Sequence, residues 1–277
     1  MKIYISADIE GVAGIVSPSQ TVQNGFEYET ARRWMTGEVC AACEGAFAAG
    51  TEDIVVSDSH GNGQNILIDE LPDSVRVVRN WPRPLGMMQG VETADFAGAF
   101  LLGYHTGAHH PAGILAHTSA GLLFTELRLN GVPATETMIS AAIAGAFDTP
   151  VILATGDTDY VGHAKDLLGN QIVTVTTKAA FGRYSADTMT PKASCGLIRD
   201  AAKKAVTNHS NANPYKIKTP IEFEADFQRH IPAEILNYLP CVDRVNAHTI
   251  RFVGEDMVSV SKFLSFITSI RYDEQIP

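Results

Sequence analysis

The sequence predicts an α/β fold built on a largely parallel central sheet. Three observations lead there. Short β-branched runs that end in polar residues recur along the chain, and they alternate with stretches of helical periodicity. That alternation is the pattern of a sheet whose strands are joined by crossover helices. An Asn-Gly dipeptide between two apolar runs marks one hairpin set into this frame. Finally, 277 residues at 45% hydrophobic content supply a sizeable core, enough for one large domain or two modest ones.

In chain order, KIYISAD opens as a strand and residues 28–49 read as a helix. EDIVVSD, VRVVRN and FAGAFLLGY follow as strands. LLFTELRLNGVPATE reads as a β-hairpin, because Asn130-Gly131 accept the positive φ angles of a tight turn. Its second arm leads into the helix ETMISAAIAGAF, and PVILATGD and QIVTVTT return as strands. Past residue 190 come the helix PKASCGLIRDAAKKAV, a polar break at TNHSNANPY, and the strand KIKTPIEFEA. A helix, the strand VNAHTIRFVG and the apolar helix MVSVSKFLSFITSI complete the chain. The expected organisation is a larger α/β domain over 1–190 and a smaller α/β subdomain over 191–277.

Composition narrows the function. With 21 Lys+Arg against 31 Asp+Glu the formal charge is −10, a surface that repels phosphate backbones and anionic lipid. Neither nucleic acid nor a membrane is an expected partner. The opening MKIYISADIE lacks the apolar run of a secretory signal, so the expected location is the cytoplasm. The four cysteines are too few and scattered for a disulfide framework. Cys40-x-x-Cys43 lies mid-helix on one apolar face, where packing is the expected role.

Ligands of open α/β sheets gather at the carboxyl ends of strands. The first strand ends in Asp8-Ile9-Glu10, whose two carboxylates share a side of extended chain. Alone they read equally as a solvated acid pair or as a cation site. The second strand ends in Asp58-Ser59-His60, and FAGAFLLGY ends at His105. Imidazole and carboxylate are the ligands of a catalytic zinc-type site, and no cysteine joins them to suggest a structural one. Asp58 suits either orientation of His60 or a turn. His117 and Glu136 complete the set. One Asp, two Glu and two or three His exceed one tetrahedral site and imply two divalent ions, with Asp8 the best bridge. The GNGQN segment after His60 is no phosphate loop, since no GxxxxGK[ST] is present. It reads as a rim of the site, with Asn65 as a substrate contact.

ADIEGVAG, VSDSHG, LLGYH, the histidine of AHTS, and NGVPATE stand in that order across residues 1 to 145. Together they make the chain resemble the zinc-dependent D-aminopeptidases of the DppA type. VTTKAAFGRYSA, with Lys178 and Arg183, is also similar. The resemblance implies Asp8, Glu10, His60, His105 and Glu136 as ligands of two metal ions, most simply zinc. It implies His117 as the catalytic histidine and describes it as a nucleophile, whereas the ordinary imidazole pKa of ~6.5 suits proton transfer. Both roles stay open at this stage. The substrate so implied is a small peptide cut from its amino terminus, with a D residue there. Lys178 and Arg183 would meet a substrate carboxylate or another subunit. The family habit is a ring-like homo-oligomer. The alternatives are another metal-dependent amide or ester hydrolase, or a non-catalytic peptide- or metal-binding protein.

Overall fold

The computed structural model describes residues 1–272. The chain runs β1 (Lys2–Ala7), α1 (Tyr28–Ala48), β2 (Asp53–Asp58), β3 (Val75–Val78), β4 (Gly98–Leu102), β5 (Phe124–Leu129) and β6 (Val132–Pro133). It continues with α2 (Glu136–Ala146), β7 (Val151–Asp157), α3 (Thr158–Leu168), β8 (Val173–Gly182), β9 (Ser185–Thr188) and α4 (Pro191–Thr207). Last come β10 (Ile221–Phe227), α5 (His230–Leu236), β11 (Val242–Arg244), β12 (Thr249–Gly254) and α6 (Met257–Ser269).

Two sheets result. The first has the order β3-β2-β1-β4-β7-β8-β9; it is parallel except for β9, which closes one edge as an antiparallel strand. The second is antiparallel, in the order β11-β12-β10-β5-β6. The strand sequences explain the difference. β4 (GAFLL) and β7 (VILATGD) are buried at every residue, as strands covered on both faces must be. β10 (IEFEADF) alternates buried apolar with partly exposed acidic residues, so only one of its faces meets a core.

The period of two along β1 divides its side chains between two cores. Ile3 and Ile5 pack with Met35 and Val39 of α1 and with Ile198 and Ala202 of α4. Tyr4 faces the other way, into a core shared by Met138 and Ile143 of α2, Phe263 of α6, and Phe223 and Phe227 of the second sheet. The apolar helix α6 buries Met257, Val260, Phe263 and Ile267 in this core. The layers cross the expected division at residue 190. α4 packs along α1 on the first sheet, while the hairpin β5–β6 pairs with β10 in the second. The hairpin turn itself has the predicted form, with φ of 50° at Asn130 and 77° at Gly131. Among the described residues no helix is long and apolar enough to cross a membrane.

The strand order fixes where a ligand can sit. From β1 the chain first builds outward through β2 and β3, then returns to β4 on the opposite side. The crevice lies where this order reverses, at the carboxyl ends of β1 and β4. Two glycines let the loops after these strands touch. A Cβ on Gly11 would lie 2.1 Å from the Tyr104 carbonyl oxygen, and one on Gly103 (φ +67°) would lie 2.3 Å from that of Asp8.

Candidate metal centre

The ends of β1, β2 and β4 deliver Asp8, Glu10, His60 and His105 to this crevice, and the first turn of α2 delivers Glu136. Asp8 is fixed by the sheet, because its N–H donates to the Leu102 carbonyl at 2.8 Å. Glu136 is fixed by its helix, whose N-cap Thr135 accepts from the Met138 N–H. Among the described residues, two groups of three have ligand atoms all within 4.8 Å of one another. One is Asp8, Glu10 and His60; the other is His105, His117 and Glu136. Asp8 joins them. Its Oδ1 lies 3.1 Å from His60 Nδ1, and its Oδ2 lies 3.4 Å from His105 Nε2. Asp8 therefore faces both groups at once.

The three imidazoles follow one rule. His60 donates from Nε2 to the Thr21 carbonyl at 2.7 Å, His105 from Nδ1 to that of Thr106 at 2.9 Å, and His117 from Nδ1 to that of Leu115 at 2.9 Å. A carbonyl only accepts, so each of these nitrogens carries a proton and the other is turned toward the carboxylates. His60 Nδ1 lies 3.1 Å from Glu10 Oε2, His105 Nε2 lies 3.4 Å from Glu136 Oε2, and His117 Nε2 lies 3.6 Å from Glu136 Oε1. The rings of His105 and His117 stack with centroids 4.1 Å apart. The five acidic and imidazole groups at the ends of β1, β2, β4 and α2 are almost wholly shielded. His117 is the more open, its side chain 28% exposed toward the cleft.

Charge explains why such a cluster asks for cations. Burial raises the Asp8 carboxyl, and the neighbouring Glu10 charge adds to it. Burial also works to raise Glu10, but His60, His105 and His117 outweigh it and hold Glu10 low. Burial would lower His60 and His105, yet Glu10, Glu136 and Asp8 push both imidazoles well above their ordinary value. Even so, Glu10 Oε2 and His105 Nε2 remain buried with no aligned hydrogen-bond partner. Leaving such atoms unsatisfied costs about 1–3 kcal/mol each, more when charged. A borderline divalent cation that takes imidazole and carboxylate ligands removes that penalty, so the donor set fits a divalent metal such as zinc.

The other expected site residues have different surroundings. Asn65 is buried, its amide nitrogen donating to Asp58 Oδ1 and to the His60 carbonyl while its oxygen accepts from Tyr28 Oη. It shapes the rim from within rather than offering a free group to substrate. Asp58 does not touch the His60 ring; it accepts from the Asn65 and Ile66 N–H groups and so forms the turn, the second of its two expected roles. Lys178 is 2% exposed and donates to three backbone carbonyls, not to the cleft. Burial lowers it to about 8, against the opposing charges of Glu38, Asp157 and Glu10. Arg183 does line the cleft; its Nη1 donates to the Ala116 carbonyl at 2.6 Å.

The cleft has a volume of about 900 Å³. Glu10, His60 and His117 form its floor, Val22, Leu115, Leu122 and Phe124 offer apolar wall, and Gln228 reaches in from the second sheet. Sequence reasoning missed Thr21, Ser119 and Gln228. Thr21 and Ser119 act through backbone groups, Ser119 by donating its N–H to Glu136 Oε1 at 2.6 Å, and no residue type announces that.

A D-aminopeptidase from Bacillus subtilis (strain 168) is 26% identical over 273 residues, spanning 98% of this chain and 97% of its own. A solved structure, described as the Zn-dependent D-aminopeptidase DppA from Bacillus subtilis, a self-compartmentalizing protease, superposes with a TM-score of 0.91. It is 26% identical and covers 97% of each chain. The sequence model of the D-aminopeptidase family matches residues 1–266, and with the strand-end cluster in place the chain belongs to that family of peptidases.

Proposed function

We propose that the protein is a metal-dependent aminopeptidase that hydrolyses short peptides from the amino terminus, with a D residue at the scissile position. Two divalent ions, zinc by analogy with the Zn-dependent relative, would be held by Asp8, Glu10 and His60 on one side and by His105 and Glu136 on the other, with Asp8 shared. The observation that carries this reading is the convergence of two ligand groups on opposite oxygens of one buried carboxylate. Bound there, such ions supply Lewis acidity to the scissile carbonyl and a nucleophile at neutral pH.

The chain's own residues supply the rest. His117 keeps Nδ1–H on the Leu115 carbonyl, so Nε2 faces the cleft side of the cluster as the group that moves a proton. We assign it the transfer to the leaving amine. Its exposure favours this over service as a further ligand, for which its Nε2 is also placed. Among the described residues, Arg183 is the one guanidinium lining the cleft, suited to the carboxylate of a short peptide. A free amine and a free carboxylate held at two ends select short chains.

A homo-oligomer, ring-like as in a self-compartmentalizing relative, is supported by apolar side chains that one subunit leaves in water. Leu122, at 98% exposed on the cleft wall, is the clearest, and Phe26 and Phe181 are others. The test of the activity is release of p-nitroaniline from matched D- and L-aminoacyl anilides, with and without chelator. Cleavage confined to the D series and abolished by chelation is expected. Protein shown to hold two metals but inert on every amide would instead favour a binding role.

A further inference from the structure

Asp8 and Glu10 sit two residues apart but are held in different ways. Asp8 ends a strand, and sheet hydrogen bonds fix its backbone: its own N–H to Leu102, and the Ala7 carbonyl accepting from Ser59. Glu10 lies beyond the sheet in a turn, and its Oε2 has no aligned partner. Its position depends on the backbone from Glu10 to Ile15. That segment is tied to β8, β9 and α1 at nearly every peptide. Lys178 of β8 donates through Nζ to the carbonyls of Glu10 (2.5 Å), Val12 (2.8 Å) and Ile15 (2.6 Å). Thr177 Oγ1 donates to the Gly11 carbonyl at 2.6 Å, the Ala13 N–H donates to Glu38 Oε1 at 3.0 Å, and the Gly14 N–H donates to Thr188 Oγ1 at 2.8 Å.

We propose that Lys178 is a positioning residue that sets Glu10 for one of the two metal ions, the ion shared with His60, by clamping the loop that carries it. An ammonium has three N–H bonds at tetrahedral angles, and here three carbonyls converge on one Nζ. No other side-chain donor among the described residues takes more than one of these carbonyls. The clamp leaves Asp8, His105 and Glu136 untouched, so its effect falls on one ion and spares the other. The inference rests on the two-ion reading above.

The test is a zinc titration of metal-stripped full-length protein against a competing chelating indicator. Wild type is compared with Lys178→Met, Glu10→Gln and the double variant, with near-UV circular dichroism as the check of native packing. Lys178→Met should weaken one zinc step about 10–100-fold, the usual effect of removing a group that orients a ligand, and leave the other step unchanged. Glu10→Gln should weaken the same step. The double variant should be no worse than Glu10→Gln alone, since Lys178 acts through Glu10. Additive losses, equal weakening of both steps, or an unchanged titration would each overturn the proposal. Lys178→Gln, which keeps two N–H donors, should fall between wild type and Lys178→Met. If neither variant reaches the native spectrum, Lys178 is needed for the fold as a whole and the proposal fails. Wild-type protein that takes up a single zinc ion refutes the two-ion reading instead, and the same cycle run on that ion then decides whether Lys178 acts through Glu10.

Discussion

Substituting His117 by Ala separates the two roles that a histidine can play here. In the structure its Nδ1–H is committed to the Leu115 carbonyl, and its Nε2 belongs to the most exposed imidazole of the cluster. If Nε2 passes a proton to the departing amine, its loss should lower kcat by about 10²–10⁴-fold, or roughly 2.7–5.4 kcal/mol of barrier, on an ordinary dipeptide. On a p-nitroanilide the departing amine is a weak base that needs little protonation, so the same variant should lose only roughly tenfold. A nucleophilic His117 gives the opposite signature: the bond it would form is missing for both substrates, and both penalties should be equal. Metal content, measured alongside, should stay at two ions. The lost stacking on His105 should cost about 0.5–1.5 kcal/mol of stability, a modest fall in Tm. Equal penalties on dipeptide and anilide would refute the proton-transfer argument, full turnover would remove His117 from the mechanism, and loss of metal would make it a ligand.

Three further outcomes follow from the same geometry. Asp8→Ala should abolish uptake of both ions together with activity, because its two oxygens face the two histidine groups; one ion retained at wild-type affinity by metal analysis would contradict the shared position. Arg183→Ala should raise KM for a free dipeptide by about 1.5–3 kcal/mol, roughly 10–150-fold, and leave the dipeptide amide unaffected; parallel changes for both would show that Arg183 does not meet the carboxylate. Protons on His60 and His105, both raised well above 6.5, stabilise the metal-free fold. That contribution is complete below the unfolded value of about 6.5 and is lost as pH rises through the folded values, while zinc affinity grows because the metal displaces those protons. Melting of chelated protein should therefore fall across this range as zinc affinity climbs, and a flat profile in both would speak against the coupling.

Much of the fold was legible because the local signals are strong. β-branched runs bounded by polar residues gave the parallel strands, and Asn130-Gly131 gave the hairpin, since few other dipeptides accept two positive φ angles. What the sequence hid was partnership. Nothing local says that β5 pairs with β10 about a hundred residues away, or that α4 lies along α1, and so the layers cross the division expected at residue 190. The site shows the same limit. Asp8, Glu10, His60, His105 and Glu136 were visible because carboxylates and imidazoles at strand ends have few structural jobs. Lys178 and Asn65 were visible as polar residues, but residue type does not say whether a side chain points into a cleft or into backbone. Cys43 shows the reading at its simplest: it is fully buried, and burial pushes its thiol up, which leaves it a packing residue rather than a reactive one.

The crevice between β1 and β4 separates two kinds of constraint. The candidate metal ligands hang from strand termini and one helix start, where a backbone shift disturbs the sheet, and His117 stands apart from them on irregular chain. The walls that would read a side chain come from 18–23, 108–125 and Gln228, segments of irregular chain and the far sheet. Outside the backbone groups of Thr21, Leu115 and Ser119 that hold His60, His117 and Glu136, those walls can be exchanged or repainted without moving a ligand atom. The architecture therefore lets substrate taste drift quickly while the chemistry beneath stays frozen, and a change of diet in this scaffold is to be sought in its rim.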